Sequence, residues 1–213
     1  MNRPQSIPGD SVQPALAADV LDFWLGDGIA LGWPSGDLNK RWFSGGALLD
    51  DEVRVRFGQV VHQALQGGLT DWEEPLHSRL ALVILLDQFS RNVFRGAAQA
   101  FNGDTRALQL TQHTLAQQQD RLLPWVGRVF MYMPLMHAED AALQATGVGC
   151  FSQLLAEAPD SLKPKLQGNL DAARQHSDII GRFGRFPYRN AVLGRSSTAE
   201  EMEFLRNGPR FGQ

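Results

Sequence analysis

Apolar positions recur along the chain at helical spacing, and no stretch alternates at the period of two that a half-buried strand requires. Val53, Phe57, Val60, Val61, Ala64 and Leu65 repeat at intervals of three and four, as do Leu162, Leu166, Leu170, Ala173, Ile180 and Phe183. Leu80 to Leu86 differs from both: it is an unbroken apolar run, so its helix has no polar face and belongs among other helices. Stop residues fall where the stripes end, at Gly26, at Gly67-Gly68 and at Pro159-Asp160-Ser161. The pattern predicts a helix from about Ala15 to Gly26, then helices over 50–66, 74–92, 104–119, 124–136, 138–158 and 161–183. Asp50-Asp51-Glu52 and the segment from Thr70 to Pro75 read as helix starts, and Pro134 as a break or kink. Thr198-Ala-Glu-Glu201 is a capping box that opens a last short helix. Short turns between successive helices imply antiparallel pairs: 50–66 with 74–92, 104–119 with 124–136, and 138–158 with 161–183. The expected architecture is all-α, one domain over 15–207, with tails at 1–14 and 208–213.

Composition narrows the class without naming a partner. The net charge of −3 over 213 residues is small. Residues 1–159 carry 11 Lys and Arg against 17 Asp and Glu, while 160–213 carry 9 against 6, so the C-terminal quarter is the basic part. Of 20 basic residues 17 are Arg, the better fork for carboxylates and phosphates. Cys150 is alone, which excludes a disulfide framework and fits a reducing, cytoplasmic setting. The longest apolar run is far short of the roughly 20 residues that span a bilayer, so no membrane role is expected. There is no Walker loop or dinucleotide fingerprint, no Gly-x-Ser-x-Gly turn, no His-Glu-x-x-His pair and no basic stripe interleaved with aromatics. Cofactor, metal and nucleic acid are accordingly not expected.

Three polar clusters interrupt the apolar helices. The first follows the apolar run: Asp87, Ser90, Arg91, Asn92 and Arg95, with Asp87 and Arg91 four apart on one helical face. The second is Tyr132, His137, Glu139 and Asp140 around Pro134. The third is His176, Arg182, Arg185, Arg189 and Asn190, with His176 on an inward stripe. A structural ion pair explains Asp87–Arg91 economically, and a helix C-terminus favours Arg182 and Arg185 in any case. Three charged clusters beside apolar stripes nevertheless exceed what packing requires.

Leu86-Asp-Gln-Phe-Ser-Arg-Asn-Val-Phe-Arg-Gly96, Tyr132-Met-Pro-Leu-Met-His-Ala-Glu139, and Phe183-Gly-Arg-Phe-Pro-Tyr-Arg-Asn190 followed by Leu193 to Glu201 resemble the signature segments of one bacterial family of unknown function. The likeness runs from about Val20 to Leu205. It implies a tetratricopeptide-repeat-like fold, a right-handed array of antiparallel helix pairs, and brings no established activity. Two positions depart from the family pattern: His is expected where Tyr188 stands, and Ser where Ala138 stands.

The reading favoured is a helical protein whose polar cleft binds a small anion or an acidic peptide end. Asp87, Arg91, Asn92, Arg95, Arg185, Tyr188, Arg189 and Asn190 are the candidate binding residues, with Asp87 and Glu139 orienting the arginines. A hydrolase of a phosphorylated or carboxylated metabolite is the alternative, with His137 or His176 as base and Glu139 as orienting partner. A protein-interaction scaffold, in which every cluster is structural, is the third.

Overall fold

The unbroken apolar run becomes the axis of the molecule. In the computed structural model, which describes residues 16–208, Leu80 to Leu86 are each at most 1% exposed and have helices packed around them. No strand occurs among the described residues. We number the longer helices α1 (Ala17–Leu25), α2 (Gly46–Leu65), α3 (residues 76–93), α4 (Asp104–Ala116), α5 (Trp125–His137), α6 (Ala141–Glu157), α7 (Lys163–Phe183) and α8 (Ala199–Asn207). Helical turns Gly28–Leu31 and Asn39–Ser44 link α1 to α2. No helix among the described residues is long and apolar enough to cross a membrane.

The packing follows from which faces are apolar. α1, α2, α4 and α5 all lie against α3, α4 packs on α5, and α6 bridges α5 and α7. The helices of all three predicted pairs are in contact; the first two pairs gather around α3, and α6 and α7 pack on α5. An aromatic cluster fills the junction of α1, α2 and α3, with Phe57 and Phe89 ring centres 4.9 Å apart and Trp24 and Phe89 5.2 Å apart. Trp42 pins the α1–α2 connection: its Nε1 donates to the Trp24 carbonyl at 2.7 Å and its ring lies 5.2 Å from Phe130.

Several boundaries differ from the sequence expectation, each for a local reason. α2 starts at Gly46, four residues before Asp50, so Asp50 lies one turn inside the helix and points inward. Thr70–Trp72 forms an isolated 3₁₀ turn without a side-chain cap, and α3 begins only at Leu76 after Pro75. Buried Arg79 takes up the carbonyls left there, with Nε to Glu73 at 2.5 Å and Nη2 to Glu74 at 3.1 Å. Pro134 does not end its helix. α5 runs on to His137, because burial of every side chain from Val126 to Met136 outweighs one lost backbone bond. The true break is at Ala138, where Gln144 Nε2 donates to the carbonyls of Met136 and Ala138, and Asp140 caps α6. The Thr198–Glu201 capping box forms as read. The segment after α7 folds into a 3₁₀ turn at Pro187–Arg189. The expected tail 1–14, and all but Gly208 of 208–213, lie outside the described residues.

Candidate functional site

α3 is not a regular helix throughout. Leu85–Phe89 form a π turn between two α-helical stretches, with Asp87 at its centre. A π turn carries one extra residue per turn and shifts every side chain after it around the axis, and such turns recur at functional sites. Two neighbours accommodate it. Ser90 Oγ donates to the Leu86 carbonyl at 2.5 Å. Gly103 lies so close that a Cβ there would meet the Leu86 oxygen at 2.3 Å, which leaves room for no larger residue.

Beyond the π turn the polar face of α3 meets two others across a cleft of about 810 Å³. α3 contributes Gln88, Arg91, Asn92 and Arg95, a set spaced i, i+3, i+4, i+7. The end of α5 contributes Met133, Met136 and His137. α7 contributes Lys165, Asn169, Ala172 and His176, also one helical face. Arg41, Trp42 and Phe43 from the Asn39–Ser44 turn, with Leu49, close one side, and Tyr188 and Arg189 close another.

The carboxylates stand behind this wall; among the described residues no Asp or Glu lines the cleft. Asp87, 1% exposed, meets His137 Nδ1 at 2.7 Å and lies 3.5 Å from Arg91 Nη1, while Gln88 Nε2 donates to its other oxygen. Burial opposes its ionisation, but His137 and Arg91 outweigh burial and hold the carboxyl well below the usual carboxylate range. Arg91 also makes a bidentate pair with Asp104, at 2.9 and 3.0 Å. Arg189 reaches the same carboxylate at 3.5 Å and lies between the rings of Phe101 and Phe186. Burial, then Arg91, lower its pKa. Asp50 holds Arg95 at 2.5 and 2.8 Å and Asn92 at 2.8 Å. Arg41 and Lys165 are in no ion pair among the described residues: Arg41 donates to the Phe23 carbonyl, and Lys165 lies over Trp33.

The two histidines are set differently. His137 turns Nδ1 onto Asp87, which leaves Nε2 as its cleft-side nitrogen. His176 directs Nδ1 at the Ala172 carbonyl, 2.8 Å away. A carbonyl only accepts, so Nδ1 carries the proton and Nε2 is the ring's acceptor. Burial, reinforced by His137 and Arg189, holds the pKa of His176 at about 3, and the ring is neutral at pH 7. The ring centres are 6.0 Å apart. Tyr188 stacks on Phe186, and burial raises its pKa, so its phenol is protonated and able to donate.

The structure thus brings together Arg91, Asn92, Arg95, His137, His176, Tyr188 and Arg189, with Asp87 directly beneath. It places the other candidates elsewhere. Glu139 does not orient His137 or the cleft arginines: it pairs with Arg195 at 2.6 and 2.9 Å and accepts from the Phe186 amide. Arg185 grips Glu201 at 2.6 and 2.8 Å, and Asn190 bonds Ser197 and Glu201. Tyr132 donates to Asp120 and accepts from Arg128, away from the cleft. Sequence reasoning missed Arg41, Trp42, Lys165 and Asn169 as lining residues, and Asp50 and Asp104 as the acids behind the arginines. The stripe Lys165, Asn169, Ala172, His176 was a legible signal; the acids, Asp50 at 45 residues from Arg95 and Asp104 at 13 from Arg91, were not. Among the described residues no group of three or more His, Cys, Asp or Glu is arranged to hold a metal ion.

Comparison with known proteins agrees with the signature segments. A protein of unknown function from Agrobacterium tumefaciens, ATU0120, has a solved structure that matches at a TM-score of 0.73 and 35% identity, over 90% of this chain and 97% of that one. No curated protein matches. The model of DUF924, bacterial proteins of unknown function, matches residues 20–209, nearly the whole chain, and the chain belongs to that family.

Proposed function

We propose that the cleft binds a small anionic ligand, a free metabolite or the acidic end of a peptide. One observation carries this reading: Arg41, Arg91, Arg95, Lys165 and Arg189 line the wall, and the carboxylates that pair with Arg91, Arg95 and Arg189 lie behind it. Charge arranged with its counter-charge at the back is preorganised to meet a second anion from the front. The volume suits a metabolite-sized molecule. The pairing of α4 with α5 and of α6 with α7 supports a tetratricopeptide-like arrangement turned to holding a small ligand, and the lone Cys150 supports a cytoplasmic setting. A thermal-shift screen of phosphate, nucleotides, carboxylates and short acidic peptides tests the reading. An anion at a hundred times its dissociation constant adds about 2.7 kcal/mol of stability. That gain should be lost in Arg41→Ala and Lys165→Ala, whose side chains brace no carboxylate. Failure of every anion to stabilise the protein would sink the proposal.

A second reading, hydrolysis, is favoured by the 2.7 Å contact between Asp87 and His137. A buried carboxylate fixing Nδ1 of an imidazole leaves Nε2 basic and oriented. There it would take a proton from a water whose oxygen adds to an acyl or phosphoryl centre, and return that proton to the leaving group. His137→Gln should abolish turnover while leaving anion binding within about threefold, since it removes no lining cation; turnover unchanged in that variant would exclude His137 as the base.

A further inference from the structure

The cleft has a second character that an anion alone does not use. Trp42, Phe43, Leu49, Met133, Met136 and Ala172 face the same space as the cations. A cleft evolved for inorganic phosphate or a small dicarboxylate has use for the arginines but none for this wall, and about 810 Å³ far exceeds the size of either. Met133 and Met136 are unbranched and adapt to irregular apolar shapes. Phe43, 54% exposed, extends the apolar surface outward from the cleft.

The pairing at the inner wall is also uneven. Arg91 makes a bidentate pair with Asp104 and lies 3.5 Å from Asp87, whereas Arg189 reaches only Asp104, at 3.5 Å. Arg189 is therefore the less compensated of the two. Arg189 is 6% exposed, and its Nε has no hydrogen-bond partner among the described residues. One negative end group is enough to meet that unsatisfied N–H, and the apolar wall leaves the rest of the cleft to an uncharged body.

We propose, building on the anion-binding reading, that the ligand class is a small amphiphilic anion: one carboxylate-like end group on a flexible apolar body such as an acyl chain. The end group pairs with Arg91 and Arg189, and the chain lies along the methionines towards Phe43.

Titration calorimetry on the full chain with butanoate, hexanoate and octanoate, beside inorganic phosphate and uncharged octanamide, tests this. Affinity should rise roughly fifteenfold with each added pair of fully buried methylenes. Octanamide should bind at least about tenfold more weakly than octanoate, the minimum expected for losing a charge-assisted bond. Phe43→Ser should flatten the dependence on chain length, and Lys165→Gln should weaken all three alkanoates alike; both sites tolerate change without endangering the core. Anions that bind with no dependence on chain length would overturn the amphiphile and leave the anion reading standing. Octanamide binding as tightly as octanoate, or no binding by any anion, would overturn both. A chain-length dependence untouched by either variant would place the binding elsewhere and overturn the proposal for this cleft.

Discussion

Two regions of this protein are built from the same parts and do different things with them. Around the π turn, Asp50, Asp87 and Asp104 hold Arg95, His137, Arg91 and Arg189. Around the end of α7, Glu139 and Glu201 hold Arg195 and Arg185. Both are arginine–carboxylate networks next to apolar helices, and sequence cannot tell one from the other. In the second region each carboxylate is turned fully on the protein: Glu201 accepts from Arg185, Asn190 and the Thr198 amide, and Glu139 from Arg195 and the Phe186 amide. It is a brace that fastens 184–207 to the body. In the first region the acids sit behind the cations, and the cations look into a cleft. What marks a site is the side from which its charges are compensated, not how many charges there are.

The sharpest way to break this comparison is at Asp104. Asp104→Asn leaves Arg189 without a carboxylate and Arg91 with only Asp87, 3.5 Å away, and removing one partner of a largely buried ion pair costs about 3–5 kcal/mol. If the cleft accepts anions, millimolar phosphate or octanoate should recover a large part of that loss in a thermal melt, by standing in for the missing charge. A variant that no anion rescues would make this region a second brace.

Acid should find the cleft before it finds the brace. The folded pKa of His176, about 3, lies below the unfolded value of about 6.5. Between those limits the unfolded chain binds a proton that the folded chain refuses, so stability falls as pH drops from about 6.5, by up to about 1.4 kcal/mol per unit. Glu201 is held at about 2, chiefly by its hydrogen bonds from Arg185, so its contribution is complete above about pH 4.5 and lost only as pH falls towards 2. Urea melts between pH 7 and 4.5 should show the slope in the wild type, and His176→Asn, which can still donate to the Ala172 carbonyl, should flatten it. An unchanged slope would assign the acid sensitivity to other groups.

Glu201→Gln tests the brace directly. It leaves the Arg185 guanidinium without a carboxylate and weakens the capping box, for a loss of about 1–3 kcal/mol. The expected fall in Tm is roughly 5 °C. Anion affinity in the cleft should stay within about twofold of wild type, and anions should not rescue the lost stability.

The all-helical class, the helix pairs and most boundaries were legible because they are local: stripes at 3.6 spacing, glycine stops, the Thr198 capping box. The lining of the cleft was partly legible for the same reason, since Arg91, Asn92 and Arg95 share a helical face, as do Lys165, Asn169 and His176. Two things were not. The π turn at Leu85–Phe89 leaves no periodic trace in a run that is apolar on all sides, and it sets the angle at which Asp87 faces His137 fifty residues away. Nor could partnership be read across distance. Glu139 lies two residues from His137 yet pairs with Arg195, while Asp50 reaches Arg95 from another helix. Residues two apart on a helix or its exit point to different sides, and pairs between helices depend on packing that sequence alone does not state.

Arg182 gives the smallest expected effect and closes the comparison from the other end. It sits two residues before Gly184 in the last turn of α7 and pairs with Glu200 at 2.8 Å, as Arg185 pairs with Glu201 next door. The pairs look alike on a contact map, but Arg182 and Glu200 are 52% and 61% exposed, whereas Glu201 is 3% exposed. An exposed pair gains little in water and orders two long side chains to do so, which leaves about 0–1 kcal/mol. Arg182→Ala should therefore shift stability by less than about 0.5 kcal/mol, with the shift vanishing in molar salt, while Arg185→Ala should cost several times more and keep most of that cost in salt. Equal costs for the two variants would mean that proximity, not the burial of the carboxylate, decides which charges hold this fold together.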